Sequence, residues 1–161
     1  MEISKPQHGK GKKEEVSLNT AATHILEECR MVLPGIQALF GFQLIAVFNE
    51  GFSRKLSGFQ QLLHLAAIVL VVIAIALVMA PAAIHRQSSQ SAVSERFIWL
   101  ASRLMLASLL PLALGLCLEV YLVGAVILET GWLAAIIAAV LLAVFACLWV
   151  LLPRRERNRQ A

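Results

Sequence analysis

The sequence predicts an all-α membrane protein, with four transmembrane helices in a bundle and an amphipathic juxtamembrane helix before them. Hydrophobic residues make up 59% of the 161 residues and charged residues 15%, which lies outside the balance of soluble domains. Four apolar blocks are each long enough to cross a hydrocarbon core of about 30 Å: residues 31–48, 62–84, 97–128 and 132–152. Their apolar residues do not alternate with polar ones, which excludes a transmembrane β-barrel.

The N-terminal region before the first block divides into two predicted segments. Residues 1–15 are polar and charged, and they predict a disordered basic tail. Residues 16–33 have apolar side chains at three- and four-residue spacing, which indicates an amphipathic helix on the cytoplasmic interface. Pro34 follows and predicts a kink where this helix meets the membrane domain, residues 34–152.

The first membrane helix carries two glutamines, Gln37 and Gln43. A side-chain amide in hydrocarbon gains most by facing another helix, so both are expected to point into the bundle. They lie about 120° apart around the helix and therefore need two different neighbours. Two interpretations stay open for them: structural hydrogen bonds between helices, or the lining of a solute path.

The third apolar block is too long for one perpendicular crossing. This predicts that one end emerges from the membrane, or that the helix tilts or breaks, with Pro111 as the candidate position for a break. Glu119 lies near its outer end. Depending on where the span begins, Glu119 is an intramembrane carboxylate on an ion or proton path, or an interfacial side chain. The candidate ion path consists of Glu119, Gln43, Glu50, Gln37 and Ser108.

The fourth helix carries small residues every four positions: Gly131, Ala135, Ala139 and Ala143. Such a ridge lets helices approach closely, and it predicts helix packing within one chain or between chains. Four short helices enclose little volume, so a pore is expected to require a homo-oligomer.

Lysine and arginine residues predict the orientation, because positive loops stay in the cytoplasm. They concentrate in the N-terminal tail, in the 85–96 loop and in the C-terminal tail, residues 153–161. Both termini are therefore expected to be cytoplasmic. The net charge of +4 fits contact with anionic lipid headgroups, and no pattern typical of nucleic-acid binding is present.

Two motifs, "VLPGIQALFGFQL" (32–44) and "APAAIHR" (80–86), resemble those of a family of small bacterial four-helix membrane proteins catalogued as a domain of unknown function. The resemblance runs from about Glu28 to Pro153. It implies a four-span topology in the bacterial inner membrane and brings no reaction or ligand with it. The motif positions that mark bends and helix ends are Pro34, Gly35, Gly41, Pro81, His85 and Arg86.

The second motif also predicts a helix end, because His85 and Arg86 suit the negative end of a helix dipole. His64, at the opposite end of the same helix, is interpreted as an interfacial side chain. A proton-sensing role is a minor alternative for both histidines.

Enzyme chemistry is not expected, since the sequence lacks the usual nucleophile, zinc and phosphate-binding motifs. The cysteines are widely separated, so no metal site and no cofactor are predicted. Two functional hypotheses remain. The first is a small oligomeric channel or transporter for cations or protons, and the second is a scaffold or regulatory subunit that binds other membrane proteins.

Overall fold

The computed structural model describes residues 8–87, 94–153 and 155. Within them the backbone is almost entirely helical and contains no strand. The elements are α1 (His8–Val47), α2 (Glu50–Lys55), α3 (Gly58–Gln87), α4 (Glu95–Leu128) and α5 (Gly131–Ala146), followed by a π-helical turn (Cys147–Leu151). The four long helices, with α5 taken together with its π-helical turn, are apolar enough to cross a membrane. The predicted fold class is confirmed, and the chain is a multi-pass membrane protein.

α1 runs without interruption from His8 to Val47. The structure thus has one helix where the sequence analysis predicted a disordered tail, an interfacial helix and a membrane helix, and α1 continues through Pro34. Pro34 lies inside α1 on a side that the rest of the chain does not cover. Membrane helices tolerate proline because local backbone adjustments satisfy the freed carbonyl group. Residues 1–7 of the predicted tail lie outside the described residues.

The short helix α2 joins α1 to α3 and was not predicted. Asn49 begins it, with its side-chain oxygen accepting a hydrogen bond from the Gly51 N–H at 2.9 Å. Ser57 and Gln60 then form a capping box at the start of α3, because each side chain bonds the other's backbone N–H. These local caps satisfy backbone donors that a helix start leaves free.

α3 and α4 form the most extensive helix contact in the bundle. Gly115 allows this close approach, because a Cβ at that position would lie 3.1 Å from Val71 Cγ2 and 3.3 Å from the Ala67 carbonyl oxygen. Pro81 and Pro111 are buried within α3 and α4, and both helices continue through them. The break that was considered at Pro111 is therefore absent. α1 packs on both α3 and α4, and α5 packs on α4.

The chain direction reverses between successive long helices. One end of the bundle, beside α2, therefore contains the end of α1, the start of α3, the end of α4 and the start of α5. We call this the α2 end.

At the opposite end the His85 ring lies 5.6 Å from the Phe97 ring, centroid to centroid. His85 and Arg86 occupy the last turn of α3, as the motif predicted. The loop at 88–93 lies outside the described residues, as does most of the 153–161 tail.

The predicted ridge of small residues on α5 is not the face that packs on α4 in the described part of the chain. Gly131, Ala135, Ala139 and Ala143 are all exposed in the single chain. The buried contact is made instead by Ala134, whose Cβ would lie 3.1 Å from a Cβ added to Gly124 of α4. The face that holds α5 to this chain therefore differs from the predicted ridge.

Candidate functional site

Three helices bring polar side chains together near the α2 end of the bundle. Gln43 comes from α1, His64 from α3 and Glu119 from α4. His64 Nδ1 lies 3.0 Å from Glu119 Oε1, and Gln43 Nε2 donates a hydrogen bond to the same oxygen at 2.9 Å. His64 Nε2 lies 3.0 Å from the backbone oxygen of Gln43. We call these three residues the polar cluster.

The hydrogen-bond geometry of the polar cluster requires one shared proton. A backbone carbonyl oxygen only accepts, so His64 Nε2 carries a hydrogen and donates it to Gln43. At 3.0 Å, His64 Nδ1 and Glu119 Oε1 also need a proton between them. That proton makes His64 an imidazolium beside a carboxylate, or it makes Glu119 a neutral carboxylic acid. The pair is neutral overall in both forms, and the proton moves a short distance between them.

The surrounding helices cover the polar cluster closely. His64 and Gln43 are each 4% exposed as residues, and the Glu119 side chain is 17% exposed. Glu119 lies about two and a half turns before the end of α4, which is about 14 Å along the helix axis. Gln43 Oε1 is buried and has no hydrogen-bond partner among the described residues. An unpaired buried acceptor is costly, so an additional hydrogen-bond donor at this oxygen would stabilise the polar cluster.

A pocket of about 190 Å³ opens beside the polar cluster. Its polar wall consists of His64 and Glu119, and the other lining side chains are apolar: Ala46, Phe52, Leu56, Leu122, Val123, Val126 and Ile127. The Phe52 ring lies at a steep angle to the His64 imidazole, 5.1 Å between centroids. α2 therefore closes one side of the pocket and helps to hold the imidazole in place.

A larger pocket of about 470 Å³ lies between α4, α5 and the π-helical turn. Leucine, alanine, valine, proline and aromatic side chains line it, and no acidic, basic or amide side chain is among them. It therefore lacks the groups that bind or conduct a small ion.

The predicted ion-path residues do not all meet at this site. The inward orientation of Gln43 is confirmed, and the structure brings Gln43 into contact with Glu119. Gln37 is exposed, so its predicted inward orientation is wrong for the single chain. Glu50 lies on α2, where its carboxylate accepts a hydrogen bond from Arg54 at 3.0 Å and its side chain is 88% exposed. Ser108 is buried and donates to the Met105 carbonyl of its own helix.

His64 is the member of the polar cluster that the sequence reasoning assigned to the membrane interface. The structure buries it between helices, a contact that the sequence analysis did not predict. Its interfacial depth stays a prediction. The missed signal is its helical register. His64 precedes, at three- and four-residue spacing, a row of buried residues on α3: Ala67, Val71, Ala74, Val78 and Pro81. A histidine in line with the packed face of a membrane helix is expected to face the bundle interior.

The two motif glycines of α1 have no close neighbour. A Cβ added at Gly35 or Gly41 meets no atom within 4 Å, so neither glycine is required for close packing in the single chain.

The cysteines form no disulfide. Cys29 and Cys117 are buried and Cys147 is exposed, and all three are free. Among the described residues no group of three or more histidine, cysteine or acidic side chains is arranged to hold a metal ion.

Comparison with protein-family models identifies the family of this chain. A family model described as a family of unknown function, DUF6328, matches residues 12–153. The chain belongs to this family. The matched segment includes α1 from residue 12 onward, the other three long helices and every residue of the polar cluster. Searches of curated proteins and of solved structures found no match.

Proposed function

We propose that this member of the family is a small transporter or channel that moves protons or other cations across the membrane through the polar cluster. The observation that carries the proposal is the 3.0 Å contact between His64 Nδ1 and Glu119 Oε1 inside a membrane bundle. Of the candidate ions, the proton fits this geometry best, because both its donor and its acceptor are already in contact. Glu119 and His64 exchange the proton, and Gln43 orients both.

The energetics favour a functional role over interhelical hydrogen bonding alone. An ionised acidic side chain at the centre of a membrane helix costs about 2.5–3.5 kcal/mol, and such residues generally mark ion or proton paths. A hydrogen bond between side chains of membrane helices contributes about 0.6 kcal/mol on average. Glu119 lies about 14 Å before the end of α4, so the figure for the membrane centre is an upper bound here. Helix packing alone does not require an acidic side chain at this position.

The orientation proposed for this transporter follows from its basic residues. Lys12, Lys13 and Arg30 lie at the start of the chain and Arg154 and Arg155 at its end. Because cytoplasmic segments retain lysine and arginine, we place both termini in the cytoplasm of a bacterial cell, with the protein in the inner membrane. The polar cluster and its pocket then lie toward the extracytoplasmic face.

A homo-oligomer is part of the proposal, and the exposed ridge on α5 supports it. Gly131, Ala135, Ala139 and Ala143 form a strip of small residues that are all exposed among the described residues. Small residues at this spacing allow another helix to approach closely. The same strip favours the second candidate function, a scaffold that binds another membrane protein. A Glu119 variant separates the two, since a scaffold does not need the carboxylate.

The test is ion flux in liposomes that contain the purified full-length protein, with proton, sodium and potassium gradients imposed in turn. We expect proton flux in the parent and a loss of about 100-fold in Glu119→Gln, because a positioned proton donor contributes about that factor or more. Glu27→Gln is the matched control, since Glu27 is an exposed carboxylate of α1. Helical content and assembly are compared among the three proteins.

Two results would contradict the proposal. If the parent liposomes conduct none of the three ions above empty liposomes, the protein does not transport them under these gradients and the scaffold becomes the leading function. If Glu119→Gln conducts as well as the parent, transport does not pass through the polar cluster.

A further inference from the structure

We infer that the pocket beside the polar cluster binds a small organic monocation with an apolar body, held at its charged end by Glu119. The inference rests on the proposed function, because it uses the same carboxylate and names a second substrate class for it. The polar wall of the pocket consists of the Glu119 carboxyl group and the His64 ring, and the other lining side chains are apolar. When the proton shared by the pair has left, His64 is neutral and the Glu119 carboxylate is the one charged group among the lining residues. A ligand that complements such a site carries one positive charge on a hydrocarbon frame.

The carboxyl group of Glu119 is partly open to the pocket. Both polar contacts described for Glu119 end on Oε1, one from Gln43 and one from His64. Glu119 lines the pocket and keeps 17% of its side chain exposed. A cation in the pocket therefore approaches this carboxylate, and its positive charge takes the place of the shared proton, which leaves to solvent.

The wall composition selects the type of cation. An inorganic cation that gives up its hydration shell needs several oxygen ligands around it; calcium, for example, takes six to eight. Among the described residues that line the pocket, Glu119 is the one with a side-chain oxygen. An organic cation has a diffuse charge and needs no oxygen cage. Its apolar groups lie against Leu122 and Val126, and Phe52 adds an aromatic surface that attracts cations.

The mouth of the pocket fits a ligand that arrives from the membrane surface. Val123 and Ile127 line the pocket and are 55% and 72% exposed. The opening is therefore flanked by apolar side chains. A cation with an apolar body accumulates at such a membrane boundary, whereas a strongly hydrated inorganic ion does not.

The experiment measures equilibrium binding of radiolabelled benzyltrimethylammonium to the full-length protein in detergent, by dialysis against empty micelles. This probe keeps its charge at every pH, and neopentylbenzene is its neutral analogue of the same shape. We expect saturable binding of the cation, with the neutral analogue competing at least about tenfold more weakly. Glu119→Gln is expected to weaken cation binding by at least about tenfold.

A second variant keeps the charge and fills the space. Val123→Trp places an indole at the mouth of the pocket and is expected to weaken binding by about tenfold or more. Val140→Trp is the matched control, because Val140 is an exposed residue of α5 outside the pocket. Binding that Val123→Trp leaves unchanged overturns the inference, and so does parent protein that binds no more cation than empty micelles.

Proton flux measured on the same preparations separates this inference from the proposed function. Proton flux without cation binding overturns the inference and leaves the proposed function standing. Cation binding that is lost in Glu119→Gln, in a protein that conducts no ion, supports the pocket and overturns the proposed transport.

Discussion

His24 and Glu27 lie one helical turn apart on α1, with nitrogen and oxygen separated by 3.7 Å and side chains 70% and 58% exposed. His64 and Glu119 come from two different helices, approach to 3.0 Å and are 4% and 17% exposed. The two pairs have the same chemical groups. They differ in how many helices hold them and in how completely protein covers them.

The difference decides what each pair can do. An exposed ion pair within one helix contributes little, because solvent screens it and its side chains lose freedom when they pair. The buried pair is screened much less by solvent. Its His64 ring is held in place by the Gln43 carbonyl on one side and by Glu119 on the other. A proton on the exposed pair exchanges with solvent, whereas a proton on the buried pair is held between two named atoms.

The largest expected effect comes from removing the imidazole of the buried pair. His64→Gln is expected to lower proton flux in liposomes by about 100-fold, because the remaining amide does not exchange a proton with Glu119. His24→Gln is the matched control and should leave flux at the parent level. If both variants lose the same proton flux, or if neither variant loses any, the buried pair has no special role.

A smaller effect is expected from the glutamine that orients the buried pair. Gln43→Leu removes one interhelical hydrogen bond, so the free energy of unfolding in detergent should fall by about 0.6 kcal/mol. Proton flux should fall by about tenfold, because the Gln43 backbone carbonyl still holds His64 while Glu119 loses its side-chain donor. Gln37→Leu, at the exposed glutamine of the same helix, is the control for both measurements. A flux loss in Gln37→Leu that matches Gln43→Leu would instead implicate the uncovered face of α1.

The smallest effect is expected at the exposed pair itself. Glu27→Ala should change the free energy of unfolding by no more than about 0.5 kcal/mol, the usual range for exposed pairs one turn apart. Chemical denaturation of the parent and the variant, at low and at high salt, provides the measurement. A change several times larger would mean that this pair is covered in the assembled protein, and the comparison would then no longer hold.

The four long helices could be predicted from sequence because crossing a membrane demands a long apolar block. The third block was expected at 97–128, and α4 spans Glu95–Leu128. The short α2 escaped prediction because it has six residues and depends on local caps instead of hydropathy. The continuity of α1 was not predicted either. A proline in a helix usually indicates a kink or a break, but in a membrane helix local backbone adjustments can satisfy the freed carbonyl group.

The polar cluster was predictable in part. Glu119 and Gln43 stood out because each is a costly side chain within an apolar block, and each was expected to be functional or to face another helix. Their contact with one another depends on how α1 and α4 cross, which one sequence does not specify. His64 lay near a helix end, where an interfacial position is common, so only its register with Ala67 and Val71 pointed inward.

The most direct test of the shared proton is the ¹⁵N NMR spectrum of the His64 ring, recorded on labelled full-length protein in lipid bilayers and assigned by comparison with His64→Gln. The structure predicts a proton on Nε2, which donates to the Gln43 carbonyl, and a hydrogen-bonded proton shared between Nδ1 and Glu119. In Glu119→Gln the Nδ1 signal should change while Nε2 stays protonated. A parent spectrum with Nε2 unprotonated, or an Nδ1 signal that is indifferent to Glu119, would contradict the account.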